Sequence, residues 1–164
     1  MDWDQIKWYE RAYQRGYSFS ALVNLAFTLR YARSMPWFDT KRSFELLQLC
    51  APYKYLHCQY WLAPAYHDGA GTQQDLVKAY AHYTVAQQLG RKEAASELQK
   101  LDGNLQPAAK TAATELASSI AANLKPTPPA IVLESPEADS AGPSPWAALA
   151  AQPPMPSATP SSAD

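Results

Sequence analysis

Charge of one sign is missing from this chain: 14 lysines and arginines stand against 15 aspartates and glutamates, a formal net charge of −1. A basic footprint for nucleic acid is therefore not expected. Long apolar runs are missing too, and nothing approaches the roughly 18 consecutive apolar residues of a membrane-crossing helix. The opening MDWDQIKWYER is acidic and aromatic rather than basic then apolar, so it does not read as a secretory leader. A cytoplasmic location is expected, or a periplasmic or secreted one if a leader is removed. Cysteine is scarce, with only Cys50 and Cys58. Cys50, His57, Cys58 and His67 have the atom types for a metal but lack the paired short spacings of a structural zinc site. His57 and Cys58 are also sequence neighbours, whose side chains diverge by about 100° on a helix. The chain has no G-x-S-x-G elbow, phosphate loop or pair of catalytic carboxylates. His67-Asp68 stands at an expected helix end beside Gly69, where such a doublet is an ordinary surface feature. The expectation is a protein that is not an enzyme and holds no cofactor or metal.

What the chain does have is concentrated in residues 56–90, LHCQYWLAPAYHDGAGTQQDLVKAYAHYTVAQQLG. Cys58, Trp61, Leu62, Ala65 and Tyr66 fall at helical spacing. Gly69-Ala-Gly71 supplies the positive φ angles of a sharp reversal. Thr72 with Asp75 three residues on reads as a capping-box start. Leu76, Ala79, Tyr80, Tyr83 and Ala86 then repeat on one face up to Gly90. Two amphipathic helices of this length cannot bury both stripes alone, so the hairpin needs neighbours of its own kind.

The pattern G-x-G-x-x-x-D-x-x-K-A-x-x-x-Y-x-x-A-x-x-x-G is carried here by Gly69, Gly71, Asp75, Lys78, Ala79, Tyr83, Ala86 and Gly90. It resembles the bacterial Sel-1-like repeat, a relative of the tetratricopeptide repeat. Thr72 stands where that family usually has Val, and His82 where it often has Trp. A shift of 37 residues aligns Ala21 with Cys58 and Ala95, and Lys41 with Lys78. Twice that shift aligns Tyr9, Ala12 and Gly16 with Tyr83, Ala86 and Gly90. A period of this size indicates a helix-turn-helix solenoid.

The fold class expected is all-α: a right-handed α-solenoid of antiparallel helix pairs with a disordered C-terminal tail. The repeat domain is placed at 1–124, divided into a partial unit 1–17, repeats 18–54 and 55–91, and a terminal capping unit 92–124. Helices are expected at about 20–33, 41–51, 56–68, 73–89, 92–101 and 108–124. Asp39-Thr40 caps the second, Pro64 kinks or shortens the third, and Pro107 begins the last. From Lys125 onward the chain holds ten of its fourteen prolines among mostly small residues. Such a segment buries too little apolar surface to offset its ordering entropy.

The resemblance implies a non-enzymatic interaction module that binds a peptide or partner protein; charge and hydropathy lead to the expectation of no nucleic acid and no membrane span, and a monomer is expected. Tyr55, Gln59 and Tyr60, off the buried stripe of the central repeat, are the candidate groove. Met35, Trp37 and Phe38 of the apolar SMPWF connection are a second contact candidate, and Trp146 is the tail's. Trp8, Tyr9, Trp61, Tyr66, Tyr80 and Tyr83 are assigned to inter-repeat packing, as is His82. Within one helix Cys50 and Cys58 would lie about 12 Å apart, beyond the ~7 Å reach of a disulfide. Pro52 breaks the helix between them, so they could meet on consecutive helices. Their spacing also resembles a cysteine-rich secreted branch of the family, which implies a bridge; without a leader the alternative is two buried thiols. Two other roles stay open: an envelope or secreted disulfide-stabilised binding protein, and an immunity-type regulator that blocks one effector.

Overall fold

A computed structural model describes residue 9, residues 19–35 and residues 38–127. Most of the partial unit 1–17, Trp37, and the tail with Trp146 lie outside the described residues. Within them are six α-helices: α1 Phe19–Tyr31, α2 Thr40–Cys50, α3 Leu56–Asp68, α4 Leu76–Gln88, α5 Ala94–Asp102 and α6 Pro107–Asn123. None is long and apolar enough to cross a membrane.

Two of the helices begin in the same way. Asp39 and Asp75 are extended, at φ −150°, ψ 96° and φ −152°, ψ 98°, and their carboxylates accept from Arg42 N at 2.9 Å and Lys78 N at 3.0 Å. Each satisfies an amide that the first helical turn leaves without a partner. The backbone amides of these two aspartates donate in turn to Leu29 O and Tyr66 O, both at 2.9 Å, so each cap is tied back to the preceding helix. Asp75 is thus the cap itself, and Thr72 belongs to the loop before it. Asp39 aligns with Asp75 at an offset of 36, whereas Phe19 and Leu56 are 37 apart. The connection between α1 and α2 is one residue longer than that between α3 and α4, and Arg42 rather than Lys41 is the counterpart of Lys78.

The α3–α4 turn is built on glycine. Gly69 ends α3 in the left-handed region at φ 66°, and Ala70 N bonds back to Ala65 O at 3.0 Å, closing the last turn. Gly71, at φ 80°, lies so close to the start of α2 that a Cβ there would overlap the Thr40 carbonyl. One repeat therefore leans its turn on the helix start of the repeat before it. Pro64 does not shorten α3, which runs unbroken through it to Asp68. The Pro64 carbonyl accepts from Arg30 Nη2 at 2.7 Å, and the same nitrogen reaches Asp68 Oδ2 at 2.6 Å. Arg30 is buried, so this pair pins α1 to the end of α3.

The core falls into three clusters. Leu22, Leu25, Ala26 and Leu29 of α1 meet Leu46 and Leu47 of α2, with Cys58 and Leu62 closing the space from α3. Ala63, Ala79, Tyr83 and Ala86 meet Ala94, Leu98 and Leu101 of α5. Ala81 and Val85 of α4 meet Ala117 of α6. The last helix thus lies along α4, where alanines on both sides permit close approach. Cys50 closes α2 and Cys58 opens α3; the two are joined, with Cα atoms 6.0 Å apart, and both side chains are fully buried.

Candidate functional site

The first helices of successive repeats, α1 and α3, carry their buried stripes inward and a row of rings outward. Phe27 and Tyr31 are one helical turn apart on α1, with ring centroids 4.7 Å from each other. Both meet Trp61 of α3, at 4.9 Å and 5.8 Å. Trp61 meets Tyr60 at 5.1 Å, edge to face, and Tyr60 meets Tyr83 of α4 at 5.6 Å. Five rings form a continuous strip across two repeats, in the offset and tilted geometries that aromatic quadrupoles favour. Phe27 and Tyr31 are 36% and 42% exposed, while Trp61 and Tyr60 are half-buried. Large rings held rigid yet open to solvent are the side chains that dominate binding hot spots.

One end of the strip carries a cation. The Arg91 guanidinium stacks over the Tyr60 ring at 4.6 Å. Its Nε lies 3.1 Å from Glu93 Oε2, and Nη1 lies 3.5 Å from His57 Nδ1. Burial, followed by the neighbouring Arg91 charge, lowers the pKa of His57, so its ring is neutral at neutral pH. Burial raises the phenol pKa of Tyr60 and, more strongly, of Tyr83, with Glu97 adding to both. Both phenols keep their protons; Tyr60 is half-exposed and can donate to a ligand, whereas Tyr83 is buried and backs it. The strip therefore offers π faces, a phenolic donor and the Arg91 guanidinium, while the buried Arg30 backs the Tyr31 ring at 5.3 Å.

The expected site residues separate on inspection. Tyr60 stands in the strip. Gln59, expected to line a groove, is fully buried. Its Nε2 donates to Ala51 O at 2.7 Å and its Oε1 meets His82 Nδ1 at 2.8 Å. A polar side chain on the inward face is stable there because both ends are bonded. Tyr55 leads into α3, where its ring meets Phe19 at 5.6 Å and His57 at 5.4 Å rather than joining the five. Met35 and Phe38 are exposed on the α1–α2 connection, at 41% and 40%. Trp61 packs against the first core cluster as expected, and its half-exposed ring also joins the strip. Phe27, Tyr31 and Arg91 were not anticipated. The four-residue spacing of Phe27 and Tyr31, off the apolar stripe of α1, is the signal that could have found two of them.

His82 does pack. Its ring stacks parallel to Tyr66 at 5.4 Å, and burial together with the Lys78 charge pushes its pKa down to about 4. The doublet His67-Asp68 is tied into structure: Asp68 Oδ1 lies 2.7 Å from His67 Nδ1, and its other oxygen is held by Arg30. Among the described residues, no group of three or more His, Cys, Asp or Glu is placed to hold a metal ion.

No protein-family model and no curated protein matches the chain. Among solved structures, the chain is similar to the crystal structure of a protective antigen present in uropathogenic Escherichia coli strains, which displays an SLR (Sel-1-like repeat) fold. The likeness has a TM-score of 0.64 at 19% identity, and covers 72% of this chain and 25% of that one. The chain thus spans a quarter of the length of that structure, and the likeness concerns the fold alone. Equivalently capped helix hairpins and this likeness together give the chain a Sel-1-like helical-repeat fold, an α-solenoid of tetratricopeptide-like kind.

Proposed function

We propose that the protein is a non-enzymatic interaction module that binds a peptide or partner protein on the aromatic strip of α1 and α3. The observation that supports this is the continuity of Phe27, Tyr31, Trp61, Tyr60 and Tyr83, open to solvent at the α1 end and flanked by Arg91 at the other. Stacked hairpins give extended surfaces, and rigid rings lose little conformational entropy when a partner covers them. Interaction is the coarse role this fold suggests. The strip adds a place for it, with an apolar contact at Phe27–Tyr31 and hydrogen bonding towards Tyr60 and Arg91. Replacing Phe27 and Tyr31 by Ala tests the reading, because both side chains are exposed and their loss leaves the core intact. The doubly substituted chain is expected to keep its melting temperature within a few degrees and to lose the partner that the unmodified chain captures from its native cell extract. Capture undiminished by the substitutions would move the site elsewhere.

The joined Cys50 and Cys58 favour a second reading of the compartment, an extracytoplasmic binding protein. Structural disulfides persist where the surroundings are oxidising. Unfolding the protein from native cells directly into an alkylating reagent decides it: cysteines that stay unalkylated support the reading, and full alkylation of both contradicts it.

A further inference from the structure

On the side formed by the second helices lies a separate concavity of about 340 Å³. Its walls are largely apolar: Leu116, Ile120 and Leu124 from α6 and its end, Pro52 from the α2–α3 turn, and the Tyr66 ring. Leu116, Ile120 and Leu124 stand at four-residue spacing, half-buried against α4. Lys78 lies over the Tyr66 ring at 5.3 Å and also lines the hollow. A groove of this volume is in the size range of ligand sites, roughly 300–1,000 Å³, and suits one large ring and a short aliphatic neighbour.

We propose that this groove docks the chain's own segment Trp146–Leu149, bound in cis. The first argument is where the described chain ends. Lys125 N donates to Pro52 O and Lys54 N to Lys125 O, both at 2.8 Å, and Thr127 Oγ1 donates to Lys54 O at 2.9 Å. These bonds strap the start of the tail to the rim of the groove, since Pro52 and Leu124 line it. Leu124 and Thr127 are at most about 11 Å apart along the chain. The 18 residues between Thr127 and Trp146 have an r.m.s. reach of roughly 24 Å as a flexible coil, and more where the five prolines among them extend the chain. Tethering at that distance gives an effective concentration on the order of millimolar, so even weak apolar contacts fill the site.

The second argument is chemical. From Glu134 to the last residue the large apolar side chains are Trp146, Leu149 and Met155. Trp146 and Leu149 are three apart, the spacing that puts two side chains on one face of a helical turn. An indole ring needs apolar walls and one acceptor for its N–H. Gln48 and Asn123 bring amide oxygens to the groove, and Lys78 brings a cation for the ring face. The nearer apolar run, Ile131–Leu133, fits less well. Lys125 pairs in parallel with Tyr53, so the chain leaves the rim running in the direction of α3. Prolines at 126, 128 and 129 restrict φ and disfavour an immediate return.

The chain has three isoleucines, Ile6, Ile120 and Ile131, so the Ile120 δ1 methyl is a site-specific probe by methyl NMR on the full chain. Substituting Trp146→Ala in the tail leaves the core untouched. The expected result is a downfield move of the Ile120 methyl as the indole ring current is removed, an intermediate position for Trp146→Phe, and no move of Ile6. A stationary Ile120 signal overturns the proposal. An Ile120 shift that depends on protein concentration also overturns it, because a second copy's segment then fills the groove.

Discussion

His82 Nδ1 donates to Gln59 Oε1 at 2.8 Å inside the helix stack, and the direction of that bond is set at the other end of the Gln59 amide. Ala51 O can only accept, so the Gln59 amide turns its NH₂ towards it and its oxygen towards His82. His82 must then carry a proton on Nδ1, and burial keeps its other ring nitrogen unprotonated. The bond links the α2–α3 turn, α3 and α4, and protonating the second ring nitrogen would place a cation in a buried site beside Lys78.

Stability should therefore depend on pH through His82. Its pKa is about 4 in the fold, from burial first and Lys78 second, against an ordinary 6.5. The unfolded chain binds more protons between those values, so folding stability is full above about pH 6.5 and falls as pH drops towards 4. The loss attributable to this group is on the order of 3 kcal/mol. Urea unfolding of the native chain and of His82→Gln, run from pH 7.5 to 4, checks it. The variant should show a clearly shallower slope over that window, and equal slopes would contradict the assignment.

Gly71 and Gly103 should respond in opposite senses to alanine. A Cβ on Gly71 would strike the Thr40 backbone at a φ of 80°, so Gly71→Ala is expected to destabilise by more than about 2 kcal/mol. Gly103 has φ −71° and open space around a Cβ, so Gly103→Ala should stabilise by about 0.4–1 kcal/mol through the unfolded state. Thermal melts of the two variants beside the parent settle the signs.

Opening the Cys50–Cys58 link should lower stability by about 2–3 kcal/mol, the chain-entropy value for so short a loop. Both sulfurs are fully buried, so a mild reductant should act slowly on the folded chain and quickly once denaturant is present. Chemical unfolding of Cys50→Ala/Cys58→Ala, compared with the oxidised parent, measures the first. Thiol titration over time measures the second.

The hairpin of α3 and α4 was legible because glycines dictate its backbone: Gly69 in the left-handed region and Gly90 at φ 105° after the last turn. Asp39 was legible as the cap of α2. What sequence patterning could not supply was pairing at a distance. Gln59 reads as a surface residue until His82, 23 positions on, accounts for its buried oxygen. Thr72 matches a capping box, yet the cap geometry falls on Asp75. Leu116, Ile120 and Leu124 were visible as one side of the last helix, but nothing local says that they pack along α4 rather than α5. The rings of Phe27 and Tyr31 have the composition of a core, and only their exposure distinguishes them as a surface.

The strip can be tested most directly by affinity capture from the native cell extract with three baits, read by mass spectrometry. These are the parent chain, Phe27→Ala/Tyr31→Ala, and Phe38→Ala as an exposed aromatic control on the α1–α2 connection. One discrete protein should be captured by the parent and by Phe38→Ala, and depleted at least tenfold on the doubly substituted chain. Equal recovery on the doubly substituted chain, with Phe38→Ala the depleted bait, would contradict the strip and assign binding to the connection between α1 and α2.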